Sequence, residues 1–114
     1  MIESYSFGHI VIDKVSYRND VIVFPDHVQA DWWRKEGHKL QLDDIQDAID
    51  DAQPRTLVVG TGKFGIMKVS KEVRALCENR EITLYAEATD KAVKMYNRLI
   101  LSDPDVLGAF HLTC

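Results

Sequence analysis

The chain has 114 residues, which is enough for one domain and too few for two. Hydrophobic residues make up 46% of it and charged residues 28%, so the composition is that of a soluble protein with one core and excludes an intrinsically disordered chain. We therefore predict a single domain that spans residues 1–114.

The charge balance and the hydropathy exclude two classes of partner. The sequence has 14 lysines and arginines against 18 aspartates and glutamates, a net charge of -4, so it has no overall attraction to nucleic acid or to anionic lipid. No segment approaches the roughly 20 apolar residues of a membrane span, and the first residues lack the pattern of a secretory signal. We predict a cytoplasmic protein that binds neither nucleic acids nor membranes.

The cysteines and histidines predict neither a metal site nor a cofactor. Cys77 and Cys114 lack the Cys-x-x-Cys spacing and are expected to stay reduced. The four histidines lack the spacings of metal ligands, and His111 with Cys114 would need further ligands from elsewhere. No nucleophile elbow and no Ser-His-Asp order is present, so no catalytic residue is assigned. His111 is expected to be a hydrogen-bonded, half-buried side chain.

The first 25 residues predict a β-meander. Their β-branched and aromatic side chains are interrupted by Gly8, by residues 13–14 and by residues 19–20, which are typical of turns between short antiparallel strands. An apolar run at residues 21–24 ends at Pro25. The alternation predicts that four side chains share one side of the strands: Tyr5, Phe7, His9 and Val11.

Residues 26–41 show no clear period and are expected to form a structured loop. Both tryptophans, Trp32 and Trp33, stand there beside Arg34, Lys35 and Glu36. Adjacent residues on an extended chain point in opposite directions, so one indole is expected in the core and the other on a surface or against a partner. The alternative is that both indoles cover the edge of the core.

The rest of the chain predicts alternating helices and strands. Apolar residues at helical spacing indicate a helix from Leu42 to about Ile49, which Pro54 closes. The apolar runs 56–60 and 82–86 indicate buried strands on either side of a helix capped by Ser70, which makes a βαβ unit with parallel strands. Thr89 is predicted to cap a third helix, and residues 106–112 are predicted to form the last strand.

Four segments of the chain are distinctive when taken together: Trp33-Arg34 with Gly37-His38, residues 56–62, residues 89–93 with Tyr96-Asn97, and residues 108–114. In this order they resemble one family of small domains of unknown function, which includes the adipogenesis-associated protein and, more distantly, mitochondrial complex I assembly factor three. The resemblance covers essentially the whole chain and implies a three-layer α/β fold with a mixed central sheet and a second small sheet. It implies no reaction, because the family has no established catalytic activity.

The glycine-containing segment 60–65 is a candidate ligand site. It follows a predicted buried strand, and glycines let backbone amides approach an anion while a lysine adds charge. It matches neither a Walker loop nor a dinucleotide loop. Parallel strands end at one edge of the sheet, so this segment and the start of the third helix should flank one crevice. Six residues are candidates for binding an anion there, against a purely structural role in turns and caps: Gly60, Thr61, Gly62, Lys63, Thr89 and Asp90.

The first helix is strongly acidic. Asp43, Asp47 and Asp51 are stacked at intervals of four residues, where like charges repel by a few tenths of a kcal/mol per pair. They are candidates for a face that docks a basic partner. The alternative is a solvated face whose repulsion is offset by cations such as Lys39 or Arg55. The tryptophan segment, with Trp32 and Trp33, is a separate candidate for an interaction surface.

Two functions remain open at this point. The sequence favours a non-enzymatic interaction or assembly module that binds another protein or a second copy of itself, because it carries no catalytic constellation. The alternative is a small-molecule binder or enzyme that uses the crevice beside residues 60–65.

Overall fold

Ten strands and three helices make up the chain, and the computed structural model describes all residues 1–114. The helices have 11, 9 and 11 residues, and none of them has the length and apolar character needed to traverse a bilayer. The elements are β1 (Ile2–Ser6), β2 (His9–Ile12), β3 (Val15–Tyr17), β4 (Val21–Val23), β5 (Val28–Gln29), β6 (Lys39–Leu40), α1 (Leu42–Ala52), β7 (Thr56–Thr61), β8 (Lys68–Val69), α2 (Lys71–Asn79), β9 (Thr83–Glu87), α3 (Thr89–Leu99) and β10 (Val106–His111).

The central sheet has five strands in the order β5-β4-β10-β7-β9. Strand β7 pairs in parallel with β10 on one side and with β9 on the other, whereas β4 and β5 are antiparallel additions beside β10. The predicted parallel pairing of residues 57–59 with residues 82–85 is confirmed, with α2 in the connection between them. Ser70 caps α2 as expected, since its hydroxyl accepts a hydrogen bond from the amide of Val73 at 3.3 Å.

Alternate residues of the central strands bury two separate apolar layers. Leu57 and Val59 of β7 belong to the core on the side of α1 and α2, while Val58 belongs to the core shared with α3 and the N-terminal sheet. A strand buried on both faces needs no polar alternation, which explains the continuous apolar run of β7 in the sequence. The predicted three-layer α/β fold with a mixed central sheet is therefore confirmed.

The N-terminal meander consists of β1, β2 and β3 in antiparallel order, but two details of its prediction are wrong. Residues 21–23 join the central sheet beside β10, because all three side chains are buried and need cover on both faces. The predicted shared side is also wrong: Tyr5 lies on the same side as Ile10 and Ile12, the buried residues of β2, and not with His9 and Val11. Tyr5 pairs with Ile10 across the hairpin of β1 and β2, so the alternating pattern of β1 does not continue unchanged into β2. The exposed Phe7 lies in the turn between the two strands.

The segment between β4 and α1 is a long excursion with two two-residue strands, β5 and β6. Trp32 is 3% exposed and donates its indole N–H to the carbonyl oxygen of Asp44 at 3.0 Å. Trp33 is 75% exposed. The expectation that the two indoles point in opposite directions is confirmed, with Trp32 as the core residue.

Candidate functional site

Four elements bring polar residues together at one edge of the central sheet, which we name the carboxyl edge. Strands β7, β9 and β10 are parallel and end there, at Thr61, Glu87 and His111. Strand β4 runs antiparallel to β10, so it begins at this edge, directly after Asp20. The topology therefore places Asp20 opposite the end of β10, although 91 residues separate Asp20 from His111.

A charged cluster of Asp20, Arg34 and His111 occupies the carboxyl edge. One carboxylate oxygen of Asp20, Oδ2, lies 2.7 Å from Nη1 of Arg34 and 2.8 Å from Nδ1 of His111. The other, Oδ1, accepts a hydrogen bond from the amide of Leu112 at 2.8 Å. The side chain of Arg34 is only 4% exposed, and its Nη2 also donates to the carbonyl oxygen of Gly37 at 3.1 Å. Asp20 thus receives hydrogen bonds from two other segments of the chain, the excursion and the C-terminal end.

Nδ1 of His111 has two charged neighbours that require different tautomers. A carboxylate oxygen can only accept, so a hydrogen bond to Asp20 at 2.8 Å needs a proton on Nδ1, whereas a hydrogen bond from Nη2 of Arg34 at 3.0 Å needs a lone pair there. Burial by itself would raise the pKa of Asp20, but the hydrogen bonds from His111, from the Leu112 amide and from Arg34 outweigh it and hold the pKa below its usual value. Asp20 therefore carries its negative charge inside the fold.

Two nitrogens of the cluster are enclosed by the fold. An Asp–His pair of this kind can orient a ring for base chemistry at Nε2. Here Nε2 of His111 and Nε of Arg34 are both fully enclosed, and neither has a hydrogen-bond partner within the chain. The cluster joins three segments of the chain: the start of β4, the excursion that contains Arg34, and the end of β10. His111 is hydrogen-bonded as expected but buried more fully than predicted.

The lowered pKa of Asp20 predicts an acid-sensitive fold. A carboxylate whose pKa is lower in the folded than in the unfolded chain stabilises the fold. This stabilisation is present at pH values above the pKa of the unfolded chain, about 3.9, and it is lost as the pH falls through the pKa of the folded chain. We expect the midpoint of urea unfolding to fall between about pH 5 and pH 3 in the wild-type chain. The variant Asp20→Asn should show a shallower decline over the same range, and equal slopes would contradict the assignment.

The structure brings the predicted glycine segment and the start of α3 together at the carboxyl edge. The amide of Gly62 donates to Oγ1 of Thr89 at 2.9 Å, and the Thr89 hydroxyl donates in turn to the carbonyl oxygen of His111 at 2.6 Å. The prediction that Thr89 is the N-cap is wrong, because the N-cap is Ala88. The Thr89 hydroxyl is used between strands instead of on the first turn of its own helix.

The polar groups of this segment are used within the chain. The amide of Lys63 donates to the carbonyl oxygen of Thr113 at 2.8 Å, and its ammonium group lies 3.0 Å from the carboxylate of Asp90. Gly60 and Thr61 belong to the buried strand β7, with Gly60 packed against Thr89. An anion would need donors beyond the Gly62 and Lys63 amides, and its binding by these residues stays a prediction.

A second candidate surface lies between α1 and the edge strand β5, and Arg34 and Lys35 border it. Two open grooves of about 530 and 570 Å³ adjoin there and share Gln29, Asp47 and Ala48. Trp33 lines the first groove together with Asp43, and Asp51 lines the second. We name the two together the acidic groove. It places four of the five predicted interaction residues, Trp33, Asp43, Asp47 and Asp51, on one continuous surface, and the buried Trp32 also borders it.

The aspartates of α1 differ in their partners. Asp43 pairs with Lys35 at 2.7 Å and Asp50 with Arg80 at 2.5 Å, so the offsetting cations are not Lys39 and Arg55. Arg55 lies instead 3.5 Å from Asp105, at the far end of the sheet. Asp44 accepts hydrogen bonds from the backbone amides of Lys35 and Gln41. The remaining two, Asp47 and Asp51, have no cation within 4.0 Å.

Sequence reasoning missed the charged cluster. Asp20 was interpreted only as part of a turn, and no spacing in the sequence links it to Arg34 or His111. The available signal was indirect: Arg34, Gly37, Gly62, Thr89 and His111 all lie in the four segments that carried the family resemblance. The structure shows why they occur together, since these segments meet at the carboxyl edge.

Comparison with known proteins gives a family and a fold. Residues 2–111 match the profile of the family described as "Protein of unknown function (DUF498/DUF598)". The crystal structure of the conserved hypothetical protein PH1505 from Pyrococcus horikoshii is similar with a TM-score of 0.85 at 23% identity, covering 100% of this chain and 99% of that one. The NMR structure of XCC1710 from Xanthomonas campestris has a TM-score of 0.83 at 24% identity, covering 98% and 83%. A protein from Bordetella pertussis, described as a Mth938-like domain, has a TM-score of 0.77 at 20% identity, covering 98% and 85%.

Proposed function

Because the chain belongs to the family described as "Protein of unknown function (DUF498/DUF598)", whose description names no activity, we propose a function from its own surface: a non-enzymatic interaction module that docks a basic protein segment in the acidic groove. The observation that carries this proposal is the exposed indole of Trp33 in the same groove as Asp47, with Asp51 in the adjoining groove; neither aspartate has a cation within 4.0 Å. We also propose that the protein is cytoplasmic and that it is related to the adipogenesis-associated protein.

The composition of the groove supports a protein partner. Tryptophan is enriched among residues that dominate binding energy, because it buries a large area at a small entropy cost. An indole that is 75% exposed gains most of that area only when a partner covers it. Unpaired carboxylates beside it favour lysine or arginine in the partner and disfavour acidic segments.

The enclosed polar groups of the carboxyl edge are a second argument for this proposal. The charged groups at that edge pair with one another, and the ring nitrogen that could act as a base is enclosed. The acidic groove, in contrast, is open and has charges without partners. The groove therefore offers a second molecule recognition by charge and apolar contact.

The proposal is tested by titrating the chain with a synthetic peptide that contains lysines and leucines, and with an acidic peptide of equal length. We expect the basic peptide to shift the amide signals of α1 and the indole signal of Trp33 in NMR spectra, and its affinity to fall as salt is added. Equal binding of both peptides, or shifts that avoid α1 and Trp33, would refute the proposal.

A pair of matched variants separates the groove from net charge. The double variant Asp47→Asn/Asp51→Asn should weaken binding of the basic peptide by about five- to tenfold, because two attractive charges are lost. The control, Glu72→Gln/Glu78→Gln, makes the same change in net charge on exposed positions of α2 and should leave the affinity within about twofold. Trp33→Ala should weaken binding without changing the urea midpoint, since Trp33 lies outside the core.

A further inference from the structure

Strand β9 forms an open edge of the central sheet. It is the last strand in the order β5-β4-β10-β7-β9, and only one of its sides is paired. The amide of Thr83 donates toward β7, to the carbonyl oxygen of Arg55 at 2.9 Å. Since hydrogen bonding alternates along a parallel strand, Thr83, Tyr85 and Glu87 face β7, whereas the backbone groups of Leu84 and Ala86 face outward. No other backbone or side-chain group of the chain pairs with those outward groups.

This edge lacks the features by which proteins protect open strands. Natural edges are kept short, or are interrupted by proline, lysine or a β-bulge. The opposite edge strand, β5, has only two residues and follows Pro25 closely. Strand β9, in contrast, has five residues without proline or lysine, and its register with β7 is continuous. Helices α2 and α3 contact the strand, yet neither supplies a partner for its outward groups.

We propose that β9 pairs antiparallel with β9 of a second copy of this chain, so that two central sheets join into one ten-stranded sheet across a two-fold axis. The outward groups fit this arrangement. Leu84 of each copy exchanges two hydrogen bonds with Ala86 of the other copy, which gives four hydrogen bonds in all. Tyr85 of one copy lies directly opposite Tyr85 of the other, at a non-hydrogen-bonded position of the antiparallel ladder.

The side chains are compatible with the same register. Two tyrosines opposite each other in such a pair stabilise a sheet, because the side chains lie closest there. Thr83 of one copy faces Glu87 of the other, so no two like charges are opposed. Glu87 already has Lys91 at 3.5 Å, one turn along α3, which offsets its charge near the axis. A second copy therefore satisfies every outward backbone group at this edge without a charge conflict.

The test is sedimentation velocity of the full chain over a range of concentrations, together with amide hydrogen exchange. We expect a monomer–dimer equilibrium, with the amides of Leu84 and Ala86 protected more strongly as the concentration rises. The amides of Tyr85 and Glu87, which bond within the sheet, should be protected at all concentrations. A chain that stays monomeric at millimolar concentration, with freely exchanging Leu84 and Ala86 amides, would overturn the proposal.

Two variants place the interface. Ala86→Pro removes an N–H that faces outward and leaves the hydrogen bonds between β9 and β7 in place. It should raise the dissociation constant of the dimer at least about tenfold. Tyr85→Lys opposes two positive charges at the axis and should also dissociate the dimer, whereas Tyr85→Phe should leave it intact. A dimer that neither Ala86→Pro nor Tyr85→Lys weakens must use another surface, which would overturn the proposal. The variants Tyr85→Lys and Tyr85→Phe test the interface even if Ala86→Pro fails to fold.

Discussion

Replacing Asp20 by asparagine is expected to destabilise the fold by about 3 kcal/mol, the largest effect of any single charge in the molecule. The substitution keeps the shape of the side chain but removes the only carboxylate within 4.0 Å of Arg34, whose side chain is 4% exposed. A buried charge without its partner costs several kcal/mol, a large share of the roughly 5 to 15 kcal/mol that stabilise a typical domain. The measurement is urea unfolding near neutral pH, followed by circular dichroism.

A matched substitution provides the control. Asp26 also lies beside a histidine, His27, at 2.8 Å, but this pair is exposed to solvent. Asp26→Asn should therefore leave the urea midpoint unchanged, because solvent already screens both groups. If Asp20→Asn also left the urea midpoint unchanged, the cluster at the carboxyl edge would have no role in holding β4, the excursion and β10 together.

The sequence was sufficient to predict the layers of the fold, because burial on both faces leaves a clear pattern. Residues 57–59 are all apolar, which is typical of a central parallel strand covered on both sides. Helix α1 was equally clear, since its apolar residues Ile45 and Ile49 recur at helical spacing beside aspartates. These signals are local, so they do not depend on which elements become neighbours.

The errors arose where a residue's role is decided by distant parts of the chain. Thr89 has the side chain of a good helix cap, but Gly62 and His111, 27 and 22 residues away, compete for its hydroxyl. The side of β2 that is buried depends on the pairing of Tyr5 with Ile10 across a turn. The cluster of Asp20, Arg34 and His111 exists only because β4 begins where β10 ends, which no local spacing encodes.

Substituting alanine for Gly62 is expected to destabilise the fold by about 3 kcal/mol, for two independent reasons. Its φ is +101°, a conformation that strains any residue with a Cβ atom. A Cβ there would also lie 2.7 Å from the carbonyl oxygen of Thr113 and 2.9 Å from Cδ2 of His111. Both neighbours are fixed by hydrogen bonds, Thr113 to the Lys63 amide and His111 to Asp20, so neither moves away cheaply.

The control for this substitution is Gly37→Ala, which makes the same chemical change at a position where nothing lies within 4 Å of the added Cβ. Its φ is not in the left-handed region, so the urea midpoint should stay the same or rise slightly as the unfolded chain loses freedom. The comparison decides why a glycine stands after β7. A loss of stability in Gly62→Ala alone assigns it to the close approach of the C-terminal residues. If Gly62→Ala folded as stably as the wild type, the packing of residues 111–114 against the glycine segment would be looser than the distances require, and that edge would have room for a ligand.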